Sequence, residues 1–336
     1  MTEVELKFQI PETRRMALMK AVDPKKSEII QLQAKYYDTP DRLLSQHGVA
    51  LRQRLEGNRW IQTLKAAGKS HLHRFEDNYD LGEMIVNDPE SDDSDALKQA
   101  TTPCLDLSIY EQNPEAKKIL DNALGTQKDT LQIQFETEIE RTLRVISYEE
   151  AEIEVCVDIG QVKSGDKSQD IHEVEFELKS GKDSTLLAFA FEWVKKYQLW
   201  LDVRSKAEYG NLLLQDLKVS PATLEKEIIL AKKESAETSI RNLITHQMNH
   251  LLPNIAAISA QVAEDTHIEQ AHLALNHLHL TLSIFKDWTS KSTDKWANQL
   301  AAFKSHFENL KHFEHMQSTL GALLQNPKTA ESLSKD

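Results

Sequence analysis

Near its start the chain alternates charged and apolar residues. Glu3, Glu5 and Lys7 interleave with Val4, Leu6 and Phe8. Successive side chains of a β-strand point to opposite faces, so this run sets its charges on one face and its apolar groups on the other. The pattern returns further along. Arg52 and Arg54 share a face against Leu51, Gln53 and Leu55. Lys65 closes the run that begins at Trp60, and Arg74 and Glu76 stand two apart. Glu173, Glu175, Glu177 and Lys179 oppose Val174, Phe176 and Leu178. A last cluster, Arg204-Ser205-Lys206, precedes Glu208.

A sheet packed on one side puts such charges into water. Repetition with mixed signs has a second solution, a closed sheet that turns its polar face inward and covers its apolar face with helices. Buried cations are costly unless anions pair with them. A polyanionic ligand together with a divalent metal balances both signs. Arginine forks and lysine ammonium groups suit phosphate oxygens. Carboxylates suit Mg²⁺, a hard ion that prefers oxygen ligands.

Length and charge bound the alternatives. The 336 residues suit two domains. The net charge of −13 argues against nucleic-acid or anionic-membrane partners, while leaving room for an anion inside a locally basic cavity. No apolar run reaches the 18 or so residues of a membrane span, and no apolar segment follows a basic start, so no membrane and a cytoplasmic location are expected. Cys104 and Cys156 form no metal or disulfide framework.

Residues 1 to about 182 read mainly as strands: Glu3–Ile10, Gln31–Asp38, Ala50–Leu55, Arg59–Lys65, His71–Asp80, Thr130–Arg144, Ala151–Lys163 and Gln169–Lys179. Turn signals such as Glu56-Gly57-Asn58 separate neighbours, as in antiparallel hairpins. Gln9–Ala21 turns helical after Pro11, Val86–Asp95 reads as a solvated loop before short helices near Lys98–Leu124, and 184–200 has the helical period to pack against or plug a barrel end. Composition shifts near Lys218-Val219-Ser220-Pro221. Beyond it, Thr223–Leu252, Glu264–Thr289, Asp294–Phe313 and Gln317–Leu324 read as helices, with Pro253 between two of them and a frayed tail over 326–336. Trp288, Trp296, Phe303 and Phe307 are the expected core of that bundle.

Glu3-x-Glu5-x-Lys7 resembles the ExExK motif of the CYTH superfamily, the triphosphate tunnel metalloenzymes. The resemblance continues through Leu51-Arg52-Gln53-Arg54, Thr63-Leu64-Lys65, Arg74-x-Glu76, Val157-Asp158-x-Gly160, Glu173-x-Glu175-x-Glu177-x-Lys179-Ser180-Gly181 and Ser205-Lys206, and spans about residues 1–215. It implies an α+β fold, an eight-stranded antiparallel β tunnel barrel with surrounding helices, followed by a small all-α helical bundle. By the resemblance, Lys7, Arg52, Arg54, Lys65, Arg74, Arg141 and Lys206 hold the phosphates, with Lys7, Lys65 and Arg54 closest to the chemistry. Glu3, Glu5, Glu173, Glu175 and Asp158 hold Mg²⁺ or Mn²⁺, with Glu76 beside them and Glu177 either as a supporting partner or paired with a tunnel cation. The substrate implied is a small-molecule triphosphate.

Residues 221–325 resemble a shortened CHAD domain, whose histidine- and arginine-rich helix is thought to bind polyphosphate. Here His272, Asn276, His277, His279 and Ser283 stand where that pattern favours arginine, which argues against polyphosphate binding by this half. His272 and His279 share a helical face, yet packing or exposed histidines are the simpler reading than a metal site. A bundle that stabilises the tunnel or forms a homodimer is the first expectation for this half. The leading expectation for the whole is metal-dependent hydrolysis of inorganic triphosphate to pyrophosphate and phosphate. Adenylate cyclase chemistry, thiamine or nucleoside triphosphate hydrolysis, and a non-catalytic polyphosphate sensor are the alternatives.

Overall fold

The computed structural model describes residues 2–71, 73–84, 101–229, 231–288, 293–305 and 307, with the backbone alone for Thr2, Glu3 and Lys69. The chain divides into two compact units, Met1–Ser220 and Pro221–Asp336.

The first unit is built from β1 (Thr2–Gln9), β2 (Glu28–Asp38), β3 (Val49–Glu56), β4 (Arg59–Ser70), β5 (His73–Glu83), β6 (Gln132–Tyr148), β7 (Ala151–Ser164) and β8 (Lys167–Ser180). They pair antiparallel in the order β5-β4-β3-β2-β6-β7-β8-β1, and β1 pairs back onto β5. The eight strands therefore close a tunnel-like ring, the last junction being the short pairing of Thr2–Val4 with His73–Phe75. A short β9 (Trp200–Leu201) adds to β1. Gly57 and Gly165 sit at hairpin turns with φ of +59° and +58°, a conformation that glycine adopts without a Cβ clash.

Register fixes which residues face inward, because directly paired residues share a face. Glu5 pairs with Glu177, Lys7 with Glu175, and Gln9 with Glu173. Asp158 pairs with both Glu173 and Arg141. Arg52 pairs with Tyr36 and Thr63, Lys65 with Glu76, and Glu3 with Arg74. The charged alternates of the sequence thus line one surface.

Their apolar neighbours face outward and are covered. Phe8, Val155, Val157, Val174 and Phe176 pack with Leu18 and Val22 of α1 (Arg15–Val22) and, further along, with Leu186, Phe189 and Ala190. Leu51, Leu64 and Phe75 pack under Leu44 of α2 (Leu43–Gln46) and Ala116, Leu120 and Leu124 of α3 (Pro114–Leu124). Helix α3 starts where the Asn113 side chain accepts from the backbone N–H groups of Glu115 and Ala116.

The helix expected over 184–200 forms as α4 (Asp183–Tyr197), and it supplies Leu186, Phe189 and Ala190 to the outer wall. The helix at the inner face is α5 (Lys206–Leu214). Its Tyr209, Ala207, Leu213 and Leu214 pack on inward-facing Leu32, Tyr36, Phe135, Ile139, Val162 and Ile171. Gly210 makes that approach possible, since a Cβ there would lie 2.2 Å from the Phe135 ring.

In the second unit, α6 (Ala236–Ser259) and α7 (Asp265–Ile284) pack through Leu251, Ala271, Ala274, Leu275 and Leu278, and residues 293–305 are helical. Three expectations are corrected here. The first helix begins at Ala236 rather than Thr223, because Ser235 caps it by accepting from Thr238 N (3.1 Å), while Thr223 N donates to the Asn254 side chain instead (3.1 Å). Pro253 lies inside this helix, not between helices. Of the expected aromatic core only Phe307 is buried; Trp288, Trp296 and Phe303 are 65%, 50% and 44% exposed. The loop expected at Val86–Asp95, the helix at Gln317–Leu324 and the tail over 326–336 lie outside the described residues. Among the described residues no helix is long and apolar enough to cross a membrane.

Candidate functional site

On the inner surface, β7, β8 and α5 bring three carboxylates together. Asp158, Glu173 and Glu175 each offer an oxygen within 4.8 Å of the others, and Asp158 and Glu173 are fully buried. Lys206 Nζ stands among all three, 2.7 Å from Asp158, 2.9 Å from Glu175 and in contact with Glu173. Arg141 grips Asp158 with two hydrogen bonds of 2.7 and 2.6 Å and reaches Glu175 at 2.5 Å. Lys7 Nζ lies 3.3 Å from Glu173.

Close charges in a dry site set the protonation of each. Burial disfavours ionised Glu173 more than Lys206 and Lys7 favour it, so its carboxyl is raised. Burial also presses on Glu175, but Lys206 and Arg141 overcome it and hold its carboxyl well below the usual range. Burial opposes ionised Asp158 too, and Arg141 and Lys206 likewise hold it low. Lys206 is itself buried, yet the three carboxylates hold its ammonium well above its ordinary value.

The opposite wall, β3 to β5, is different. Arg52 and Arg54 stand two apart on the inner face of β3. Arg52 Nη1 donates to the Tyr36 hydroxyl at 3.4 Å, while its buried Nε meets no acceptor among the described residues. Among those residues, no carboxylate lies within ion-pair distance of Arg52. Arg54 Nε donates to Glu56 at 2.7 Å. Burial and the neighbouring Arg52 charge lower Arg54. Tyr36 is buried as well, but Arg52, Lys206 and Arg54 around it bring its hydroxyl below the usual value. Lys65 pairs with Glu76 at 2.6 Å, and Arg74 with Glu5 at 3.3 Å.

Of the residues singled out by sequence, the ring gathers Asp158, Glu173, Glu175, Arg141, Lys206 and Lys7 in one cluster. It sets Arg52 and Arg54 together on the facing stretch. Glu5 is turned to Arg74, beside the Glu177 and Glu154 row rather than in the three-carboxylate group, because it pairs one inward step further along β8. Of the Glu3 side chain nothing is described; its backbone pairs with Arg74. Glu177 pairs with Lys179 at 2.9 Å.

Tyr36, Glu56, Glu154, Asp202 and Tyr209 also line or support the site without a motif that marks them in the sequence. Tyr36 is visible as the inward partner of Arg52 only once register is known. Asp202 is fully buried and bound to Arg204 and Tyr209. Burial raises its carboxyl, but the Arg204 hydrogen bonds and the Lys7 charge outweigh that and hold it low.

The donor set fits a hard divalent cation: three convergent carboxylates, with an ammonium already standing as a cation in their midst. The histidines of α7 gather no comparable set among the described residues. His277 pairs with Glu225 (2.8 Å), and the His267 side chain closes the cap of its own helix.

A ring of eight antiparallel strands with acids and bases on its inner face is the architecture that the motifs implied, and comparison with known proteins assigns it. The CYTH domain model matches residues 1–210, and the chain belongs to the CYTH family. It is 33% identical over 180 residues to an inorganic triphosphatase from Haemophilus influenzae, an alignment that covers 53% of this chain and 44% of that protein. The match thus spans less than half of the relative's length. Among solved structures, a Hippeastrum protein described as an adenylyl cyclase with a dominant triphosphatase activity aligns at 14% identity over 65% of this chain and 98% of its own, with a TM-score of 0.41. The PH1012 protein of Pyrococcus horikoshii aligns at 12% identity over 64% and 99%, with a TM-score of 0.35. Likeness at that level carries nothing about the activity of this chain.

Proposed function

We propose that this chain hydrolyses inorganic triphosphate to pyrophosphate and phosphate inside the ring, with Mg²⁺ or Mn²⁺. The observation that carries the reading is the Arg52–Arg54 pair, the first buried and the second half-buried. Two guanidinium groups share an inner face: Arg54 meets Glu56, and Arg52, with no carboxylate at ion-pair distance among the described residues, is raised, despite burial, by Tyr36 and the Glu76 and Glu56 charges. Such a pair is costly without an anion, and phosphate oxygens match its forks.

In this reading Arg52, Arg54, Lys65 and Arg74 take the phosphate oxygens along one wall. Lys7, Arg141 and Lys206 take them from the other. Asp158, Glu173 and Glu175 hold the divalent ion, with Glu3 and Glu5 toward the neighbouring stretch of β1. When bound, the ion neutralises charge on the phosphoryl oxygens and polarises them. The chain's own contribution is alignment. Cations on both walls draw the triphosphate straight, so that water attacks a terminal phosphorus in line with the bridging P–O bond that breaks. Lys7, Lys65 and Arg54 stabilise the charge that gathers as pyrophosphate leaves.

The similarity to the Haemophilus inorganic triphosphatase supports this reading. The test is a panel of tripolyphosphate, ATP and thiamine triphosphate, each assayed with Mg²⁺, Mn²⁺ and Ca²⁺ for phosphate release and for cyclic AMP. Phosphate release fastest from tripolyphosphate and dependent on metal is expected. Cyclic AMP from ATP would replace the reading with a cyclase, and tight tripolyphosphate binding without turnover would replace it with a sensor. For residues 221–325 we propose the CHAD-like bundle as a stabilising or self-associating module, tested by the solution mass of the full chain.

A further inference from the structure

The loop between β9 and α5 carries a buried acid outside the strand alternation. Asp202 N donates to the Lys7 carbonyl at 3.0 Å, tying the loop to β1 at the residue that bears one inward cation. The Asp202 carboxylate is fully occupied within its own loop and helix. One oxygen accepts from Arg204 N (3.0 Å) and Arg204 Nε (2.9 Å). The other accepts from Arg204 Nη2 (2.8 Å) and from the Tyr209 hydroxyl (2.7 Å). The Arg204 guanidinium lies 5.9 Å from the Trp200 ring and 5.1 Å from the Tyr209 ring.

This closure has two consequences. The Arg204 carbonyl is presented to the Lys7 ammonium, which donates to it. The next residue, Ser205, caps α5 by accepting from Glu208 N at 3.1 Å, and Lys206 is the first residue of that helix. The tyrosine that binds Asp202 also takes a hydrogen bond from Gln9 Nε2 at 3.4 Å, and Gln9 bonds Glu173 at 3.4 Å. The Asp202 side chain therefore bonds none of the charged groups at the centre of the site, yet it holds the residue whose carbonyl meets Lys7 and which lies two before Lys206.

We propose that Asp202 is a positioning residue which, through the Arg204 loop, sets where the ammonium groups of Lys7 and Lys206 stand in the tunnel. The inference rests on the triphosphate reading above. A buried ion pair of this kind contributes little net stability compared with an apolar replacement, so its value lies in the geometry it enforces. Misplacing a charged group by about 1 Å costs on the order of 10²-fold in rate.

The test is a double-mutant cycle on the full chain, reading tripolyphosphate affinity by calorimetry alongside KM and kcat with Mg²⁺. Asp202→Asn keeps the shape and removes the charge. It is expected to weaken tripolyphosphate binding about tenfold and to lower kcat/KM by about 10–100-fold. Introduced into Lys206→Met, the same change is expected to cost less than half as much on a logarithmic scale, because part of what it positions is already gone. A purely structural acid would give additive effects on affinity. Additivity, or an unchanged affinity in Asp202→Asn, overturns the inference. If Asp202→Asn does not fold, Arg204→Lys, which keeps the charge and loses the fork, carries the same cycle with the same two outcomes. Wild-type chain that neither binds nor cleaves tripolyphosphate overturns the triphosphate reading and this inference together. Normal wild-type behaviour with an unaffected variant overturns the inference alone.

Discussion

The two walls of the ring solve the problem of buried charge in opposite ways. On β7 and β8, with α5 against them, each of the three clustered acids has a cation. Arg141 and Lys206 neutralise Asp158 and Glu175 so fully that both carboxyls are held low. On β3 the two arginines crowd each other, and burial with mutual repulsion lowers Arg54. One wall is balanced by the chain itself. On the other, Arg54, Lys65 and Arg74 meet Glu56, Glu76 and Glu5, Arg52 has no carboxylate at ion-pair distance among the described residues, and in the triphosphate reading an anion from outside the chain completes it. In that reading the acidic wall holds the metal and the basic wall the anion.

Mutations on the two walls should therefore behave differently. The largest effect is expected on the basic wall. Arg54→Ala should lower kcat/KM for tripolyphosphate by about 10²–10³, the scale of losing one charge-stabilising contact, while the melting temperature stays level or rises. A large loss of stability with little loss of turnover would reverse the assignment of the walls. Asp158→Asn should do the opposite to the fold. It leaves Arg141 and Lys206 buried with less counter-charge, and should cost about 3–5 kcal/mol in a denaturant titration. An unchanged midpoint would mean that the cluster is wetter than its geometry indicates.

Smaller effects refine the contrast. Gly210→Ala forces α5 away from Phe135, and should cost about 1–3 kcal/mol together with a raised KM, because Lys206 leads that helix. Lys206→Met removes the ammonium that stands among the three carboxylates. Mn²⁺ affinity without substrate should then rise by roughly tenfold, read by calorimetry, since a like charge no longer competes for the same oxygens. Unchanged affinity would place the ion elsewhere. The smallest effect is on acid stability. Asp202 is depressed in the folded chain, so its contribution is present above the unfolded carboxylate value of about 4 and is lost as pH falls through the lower folded value. Comparing wild type with Asp202→Asn from about pH 6 to about pH 2 should show the difference in stability shrinking on the acid side.

Much of the ring was legible because its signal is local. Alternation in Glu3–Phe8, Leu51–Leu55 and Glu173–Lys179 assigns faces without any knowledge of partners. The grouping of those faces was not legible, since it depends on register between strands distant in sequence. Glu5 reads like Glu173 and Glu175, yet pairing with Glu177 carries it one step along the wall and gives it to Arg74. Asp158 joins the acids because it pairs across to Glu173, which its own sequence does not announce. Asp202 sits in a loop with no period at all. In the helical unit, Trp288 and Trp296 have the size of core residues, but exposure depends on what the helix faces, and both lie largely open.

Whether a triphosphate and a divalent ion meet between these walls is decided by anomalous diffraction from crystals soaked with Mn²⁺ and tripolyphosphate. A manganese peak against Asp158, Glu173 and Glu175 is expected, with phosphate density reaching Arg52 and Arg54. Manganese and phosphate bound only outside the ring, with the inner carboxylates still held by Lys206 and Arg141, would refute the proposed site.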